Sequence, residues 1–141
     1  MLKNVTSIGT VFVILFLSGI SWATDFEKEK AAVTAAEMWL ALVDNGKYSE
    51  SWKQAAEYFR NSIKMDQWEQ SLQSVRLPLG KVISRKVKTK SYQTALPGAP
   101  DGQYVVIQFE TSFQNKKSAV ETVTPKFDKD GQWRISGYYI K

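Results

Sequence analysis

Residues 119–139, AVETVTPKFDKDGQWRISGYY, decide how this chain folds. Ala119, Glu121, Val123 and Phe127 alternate with Val120, Thr122, Thr124 and Lys126. Trp133, Ile135, Gly137 and Tyr139 then alternate with Arg134, Ser136 and Tyr138. A period of two sends successive side chains to opposite faces of a strand. Between the runs, Lys129-Asp130-Gly131 has the form of a three-residue hairpin loop with glycine at its left-handed position. Loop length sets register. It predicts Phe127 opposite Trp133, Pro125 opposite Ile135, Val123 opposite Gly137 and Glu121 opposite Tyr139. That register gathers the large apolar side chains on one face and puts Lys126, Arg134, Thr124 and Ser136 on the other. Glu121 falls on the apolar face, and Tyr138 falls on the outer one.

Two more strands lie upstream. Val105, Ile107, Phe109, Thr111 and Phe113 alternate with Gln108, Glu110 and Ser112, as in a half-buried antiparallel strand. Ile83, Arg85, Val87 and Thr89 alternate with Lys86, Lys88 and Lys90, so the first set is expected inward. A proline- and glycine-rich stretch, Leu96–Gly102, joins these strands as a stiff loop. Gln114-Asn115-Lys116 is a short hairpin loop.

Before Lys81 the period is helical. Phe26–Asp44 carries Val33, Ala36, Leu40 and Val43 on one stripe, with Trp39 beside them. Thr24 and Asp25 offer capping oxygens, and Asn45-Gly46 ends the segment. Ser49 or Ser51 is placed to cap a second helix carrying Trp52, Ala55, Ala56 and Phe59. A third follows with Met65, Trp68, Leu72 and Val75 on one face, stopped by Pro78 and Gly80. The predicted fold class is α+β: two or three N-terminal helices packed on one face of a four-stranded antiparallel meander.

The remaining composition narrows the chemistry. The 141 residues include no cysteine and no histidine. Serine–histidine and cysteine–histidine mechanisms are therefore excluded, as is any thiolate metal site. No cofactor and no metal are expected. Nineteen basic residues against 14 acidic ones give a net charge of +5. Much of the excess lies in Arg76, Lys81, Arg85, Lys86, Lys88 and Lys90. A set such as Lys86, Lys88 and Lys90 suits either a charged edge strand that resists aggregation or a surface that meets anions.

The first 23 residues have the layout of an export signal: Lys3 in a short basic start, the apolar run Val11–Leu17, and small residues at Ser21 and Ala23. Cleavage after Ala23 is expected, leaving Thr24–Lys141 as one periplasmic or secreted domain without a transmembrane segment.

The same elements carry a family resemblance. Residues 39–44 (WLALVD), 48–52 (YSESW), 75–80 (VRLPLG), 96–98 (LPG), 100–104 (PDGQY) and 130–134 (DGQWR) resemble the exported bacterial family catalogued as domain of unknown function 4019. The resemblance implies a small exported bacterial protein and no particular activity. More loosely, helices followed by a meander ending in Asp-Gly-x-Trp-Arg-Ile are similar to nuclear-transport-factor-2-like and cystatin-like domains. Such folds often hold a pocket between helices and sheet.

Glu121 is the most suggestive side chain. On an apolar face its carboxylate is desolvated and calls for a cation in compensation, and Arg85 is the inward cation of the sheet. Glu121, Arg85, Tyr139, Thr111 and Phe109 form the candidate pocket, suited to a small polar or anionic ligand. The reading these residues favour is an internal ion pair that closes the core. Trp39, Trp52, Trp68 and Trp133 sit on apolar stripes and are expected in the core. Arg76 is expected to serve the C-terminal end of its helix.

The function expected is that of a non-enzymatic binding or accessory domain in the cell envelope. One alternative is a small-pocket carrier or enzyme using Glu121. A second is a basic module in which Lys86, Lys88 and Lys90 meet anionic envelope components. Specific nucleic-acid binding is not expected.

Overall fold

A computed structural model describes residues 24–141; the expected export signal lies outside the described residues. Four helices precede four strands: α1 (Asp25–Asp44), α2 (Tyr48–Lys53), α3 (Glu57–Ser62), α4 (Met65–Leu79), β1 (Val82–Gln93), β2 (Tyr104–Phe113), β3 (Lys116–Phe127) and β4 (Trp133–Ile140). The strands form one antiparallel sheet in the order β1-β2-β3-β4, with the helices on one face. The α+β meander matches the expectation. Four helices appear among the described residues where two or three were expected.

Local chemistry explains the helix boundaries. Thr24 accepts from the Glu27 amide at 3.2 Å, and Glu27 accepts from the Thr24 amide, closing a capping box on α1. Gly46, at φ +73°, follows the C-terminus of α1. The expected second helix splits because the Ala56 amide leaves the helical pattern and donates to the Ile135 carbonyl of β4 at 2.8 Å. That bond ties the α2–α3 junction to the sheet. Ser51 is not a cap: it is buried within α2 and takes a hydrogen bond from the Trp68 indole at 2.9 Å. The Ser51 carbonyl takes the Trp39 indole at 2.8 Å.

The core lies between α1, α4 and the inner face of the sheet. Ala32, Ala36, Trp39, Leu40 and Val43 of α1 meet Trp68 and Leu72 of α4 and Ile107, Phe109, Val123 and Ile135 of the sheet. Trp39 and Trp68 are buried, each with its indole N–H satisfied, so they act as packing residues. Trp52 and Trp133 are partly buried at the margin of this core. Val75, expected on the buried face of its helix, is exposed.

Two bulges move side chains away from their expected faces. Phe127 pairs with Trp133, and Pro125 with Ile135, as the loop predicts. The register then shifts, and Thr124 pairs with Gly137, Val123 with Tyr138, Thr122 with Tyr139 and Glu121 with Ile140. Ser136 is the extra residue. One inserted residue flips everything beyond it to the other face. Tyr138 therefore points inward, and Tyr139 points outward at 59 % exposure, the reverse of the expected arrangement.

A second shift lies on β1 between Val87 and Thr89. Lys86 pairs with Glu110 on the outer face, but Lys90 pairs with Ile107 and lies on the helix side, its ammonium 5.5 Å from the centre of the Phe26 ring. Thr89, expected inward, pairs with Gln108 and bonds its side chain at 3.1 Å. Ile83, also expected inward, occupies a third irregularity and is exposed.

The β4 bulge makes a direct prediction. Tyr138→Phe removes a hydroxyl from a buried partner and should cost about 1–3 kcal/mol in urea melts. Tyr139→Phe should change stability by less than about 0.5 kcal/mol. The opposite order would restore the unbulged register.

Candidate functional site

Six elements bring charged and hydroxyl side chains to one end of the core. β3 supplies Glu121, β1 Arg85, β2 Thr111, β4 Tyr138, α1 Asp44 and α4 Arg76. Glu121 is fully buried. Its Oε1 accepts from Arg85 Nε at 2.7 Å and from the Thr111 hydroxyl at 2.5 Å. Its Oε2 accepts from the Tyr138 hydroxyl. Both carboxylate oxygens are thus occupied from within the protein.

Arg85 continues the chain outward. Its Nη1 donates to Asp44 Oδ2 at 2.7 Å and its Nη2 to Asp44 Oδ1 at 3.0 Å. This two-pronged geometry suits the planar guanidinium. Arg76 Nη2 donates to the same Asp44 Oδ1 at 2.8 Å, and Nη1 reaches the Tyr138 hydroxyl at 3.5 Å. The guanidinium carbon of Arg76 lies over the Phe113 ring, 5.0 Å from its centre. Two carboxylates therefore balance two guanidinium groups. The assembly is buried at Glu121 and Arg76 and meets solvent at Asp44, whose side chain is 24 % exposed. Arg76 Nε is buried without a partner among the described residues, and so is Thr122 Oγ1.

The neighbours set the proton affinities. Burial alone would raise the Asp44 pKa, but hydrogen bonds and charge from Arg85, and then Arg76, hold it below the usual carboxylate value. Burial pushes the Tyr138 phenol far above its ordinary range, and the charge of Glu121 pushes the same way. Tyr138 therefore acts as a donor to Glu121.

Of the candidate pocket residues, Glu121, Arg85 and Thr111 are in direct contact, and Phe109 stands opposite Glu121 on β2. Tyr139 does not join them; Tyr138 takes its place because of the bulge. Sequence reading missed Asp44 and gave Arg76 a purely local helix role. No periodic signal links the end of α1 to β1. A usable hint was an acid on the last residue of a helix, where the dipole disfavours it and a cation must be near.

A separate open space lies on the other side of the sheet. A groove of about 510 Å³ is lined by Ser84, Lys86, Lys88, Glu110, Ser112, Lys117, Ser118 and Val120, over the row Arg85, Thr111 and Ala119. The side chains of that row turn inward, so backbone forms the floor. Lys86 and Glu110, register partners on β1 and β2, pair within the lining at 3.2 Å. Lys90 lies outside it. Among the described residues, no three His, Cys, Asp or Glu side chains are grouped to hold a metal. No described helix is long and apolar enough to cross a membrane.

The fold and its charged core define a small α+β domain with helices on one face of an open meander. The model of the family described as "Protein of unknown function (DUF4019)" matches residues 35–138, and the chain belongs to that family. No curated protein matches the chain.

The depressed Asp44 pKa has a consequence for acid stability. A lowered native pKa contributes stability that is full above the unfolded value of about 3.9 and is lost as pH falls through the native one. Asp44→Asn should cost about 1–2 kcal/mol at neutral pH. The gap between variant and wild type in urea melts should close progressively below about pH 4. A gap of constant size down to strong acid would contradict this assignment.

Proposed function

We propose that this protein is an exported, non-catalytic binding or accessory domain of the bacterial cell envelope, working after removal of its first 23 residues. One observation carries the non-catalytic reading: every oxygen of Glu121 and Asp44 already accepts a hydrogen bond from the protein's own arginine, threonine or tyrosine. A general base must reach the proton that it removes. Glu121 faces a tyrosine, a threonine and an arginine instead, with a continuous sheet between it and the groove. The charged group is a frame, and binding belongs to the surface. The layout of residues 1–23 supports export, because its basic start, short apolar run and small-residue end follow the secretory pattern.

Two measurements test this reading. The full chain, expressed in a Gram-negative host, should be recovered from the periplasm with an intact mass that starts at Thr24. An uncleaved chain held in the membrane fraction would overturn the export part. Carbodiimide labelling of the native protein should modify the exposed Glu110 and spare Glu121. Labelling of Glu121 before unfolding would mean that it faces an open pocket, and would revive a catalytic or carrier role.

A further inference from the structure

The geometry points to the outer-face groove as a binding site for a phosphorylated saccharide headgroup, gripped by Lys86, Lys88 and Lys117 with the hydroxyls of Ser84, Ser112 and Ser118. This identifies the ligand class for the binding-domain reading above and rests on it.

Three features of the lining select that chemistry. The first is charge. Three ammonium groups and one carboxylate line the groove, and Glu110 is already engaged by Lys86 at 3.2 Å. Lys88 and Lys117 thus provide net positive charge at the site. Lysine ammonium groups attract phosphate as compact point charges. The second is the hydroxyls. Ser84 and Ser112 are cross-strand partners. Ser118 lines the β3 side. Serine hydroxyls both donate and accept, so they suit a polyol that carries phosphate. The third is shape. At about 510 Å³ the groove falls in the range of small-ligand sites, ~300–1,000 Å³.

The same lining argues against the other anions of a cell. It contains no aromatic side chain on which a nucleic-acid base could stack. Its apolar members are Ala119 and Val120, and Ala119 is buried, so nothing long and apolar is available to enter a bilayer. Simple anionic phospholipid surfaces and single-stranded nucleic acid are therefore weaker fits than a phosphorylated sugar.

The β1 bulge makes the proposal specific. It removes Lys90 from the face that holds Lys86 and Lys88, so the relevant cations are not the sequential lysine series. They come from β1 and from the start of β3, on either side of β2.

The test uses protein purified after expression of the full chain, with phosphorylated lipopolysaccharide as the probe in calorimetric titrations. Saturable binding is expected, falling steeply as salt rises. The triple variant Lys86→Gln, Lys88→Gln, Lys117→Gln should weaken it by about tenfold or more. A triple of equal charge change, Lys30→Gln, Lys47→Gln, Lys90→Gln, should leave it within about twofold. Lys88→Glu should abolish binding while its far-ultraviolet circular dichroism and melting curve stay like the wild type. Chemically dephosphorylated lipopolysaccharide should bind at least about tenfold more weakly. No binding at low salt, or equal losses in the two triples, would overturn the site. Equal affinity for phosphatidylglycerol vesicles or for single-stranded DNA would overturn the ligand class. Cleavage after Ala23 and protection of Glu121 from carbodiimide do not depend on any of these results, so failure here leaves the broader reading standing.

Discussion

The fully buried carboxylate of Glu121 is the constraint on which the rest of this structure depends. Removing an ion from water costs several kcal/mol unless charge and hydrogen bonds replace the lost hydration. Here the replacement comes from three other strands: Arg85 on β1, Thr111 on β2 and Tyr138 on β4. Meeting Glu121 therefore requires the whole width of the sheet in one register. Arg85 in turn holds Asp44, and Asp44 holds Arg76, which extends the requirement to α1 and α4. Asp44 sits where the dipole of α1 disfavours an acid, and the two guanidinium groups offset that cost. With no disulfide to fasten it, the domain is cross-linked at this end by charge-assisted hydrogen bonds and elsewhere by apolar packing.

Much of this fold was legible in the residue pattern, and the misplaced strand faces share one cause. The period-two runs, the Lys129–Gly131 loop and the helical stripe of α1 each report a regular local geometry, and all appear in the structure. Bulges are irregular by nature. An inserted residue leaves the alternation looking intact on both sides while exchanging the faces beyond it. That single effect turned Tyr138 in, turned Tyr139 out and separated Lys90 from Lys86. On β4 a hint existed in Gly137, since glycine inside a strand often marks a bulge. On β1 the residues around Lys88 carry no such mark. The approach of Glu121 to Arg85 was readable because Arg85 pairs with Thr111, and Thr111 shares the inward row of β2 with Phe109, the partner of Glu121. Asp44 was not, because its partners depend on how α1 crosses the sheet.

The two faces of the sheet divide the work in a physically sensible way. On the inner side every oxygen of Glu121 and Asp44 accepts a hydrogen bond from within the protein, which holds the geometry at the expense of reactivity. The outer face leaves ammonium and hydroxyl groups in water over a backbone floor. Ligands are commonly bound by surface groups carried on a rigid scaffold. Here the floor row, Arg85, Thr111 and Ala119, is the same set of positions whose first two side chains grip Glu121 from below. The internal charge group thereby steadies the surface on which the groove is built.

The central claim is that Glu121 and Arg85 form one structural unit, and a double-mutant cycle in chemical denaturation tests it most directly. Glu121→Gln and Arg85→Met should each cost about 3 kcal/mol, because each leaves a desolvated partner behind. The double variant should cost about 1–3 kcal/mol less than the sum, since neither charge is then stranded beside the other. Additive losses within about 0.5 kcal/mol, or a neutral or stabilising Glu121→Gln, would contradict the account.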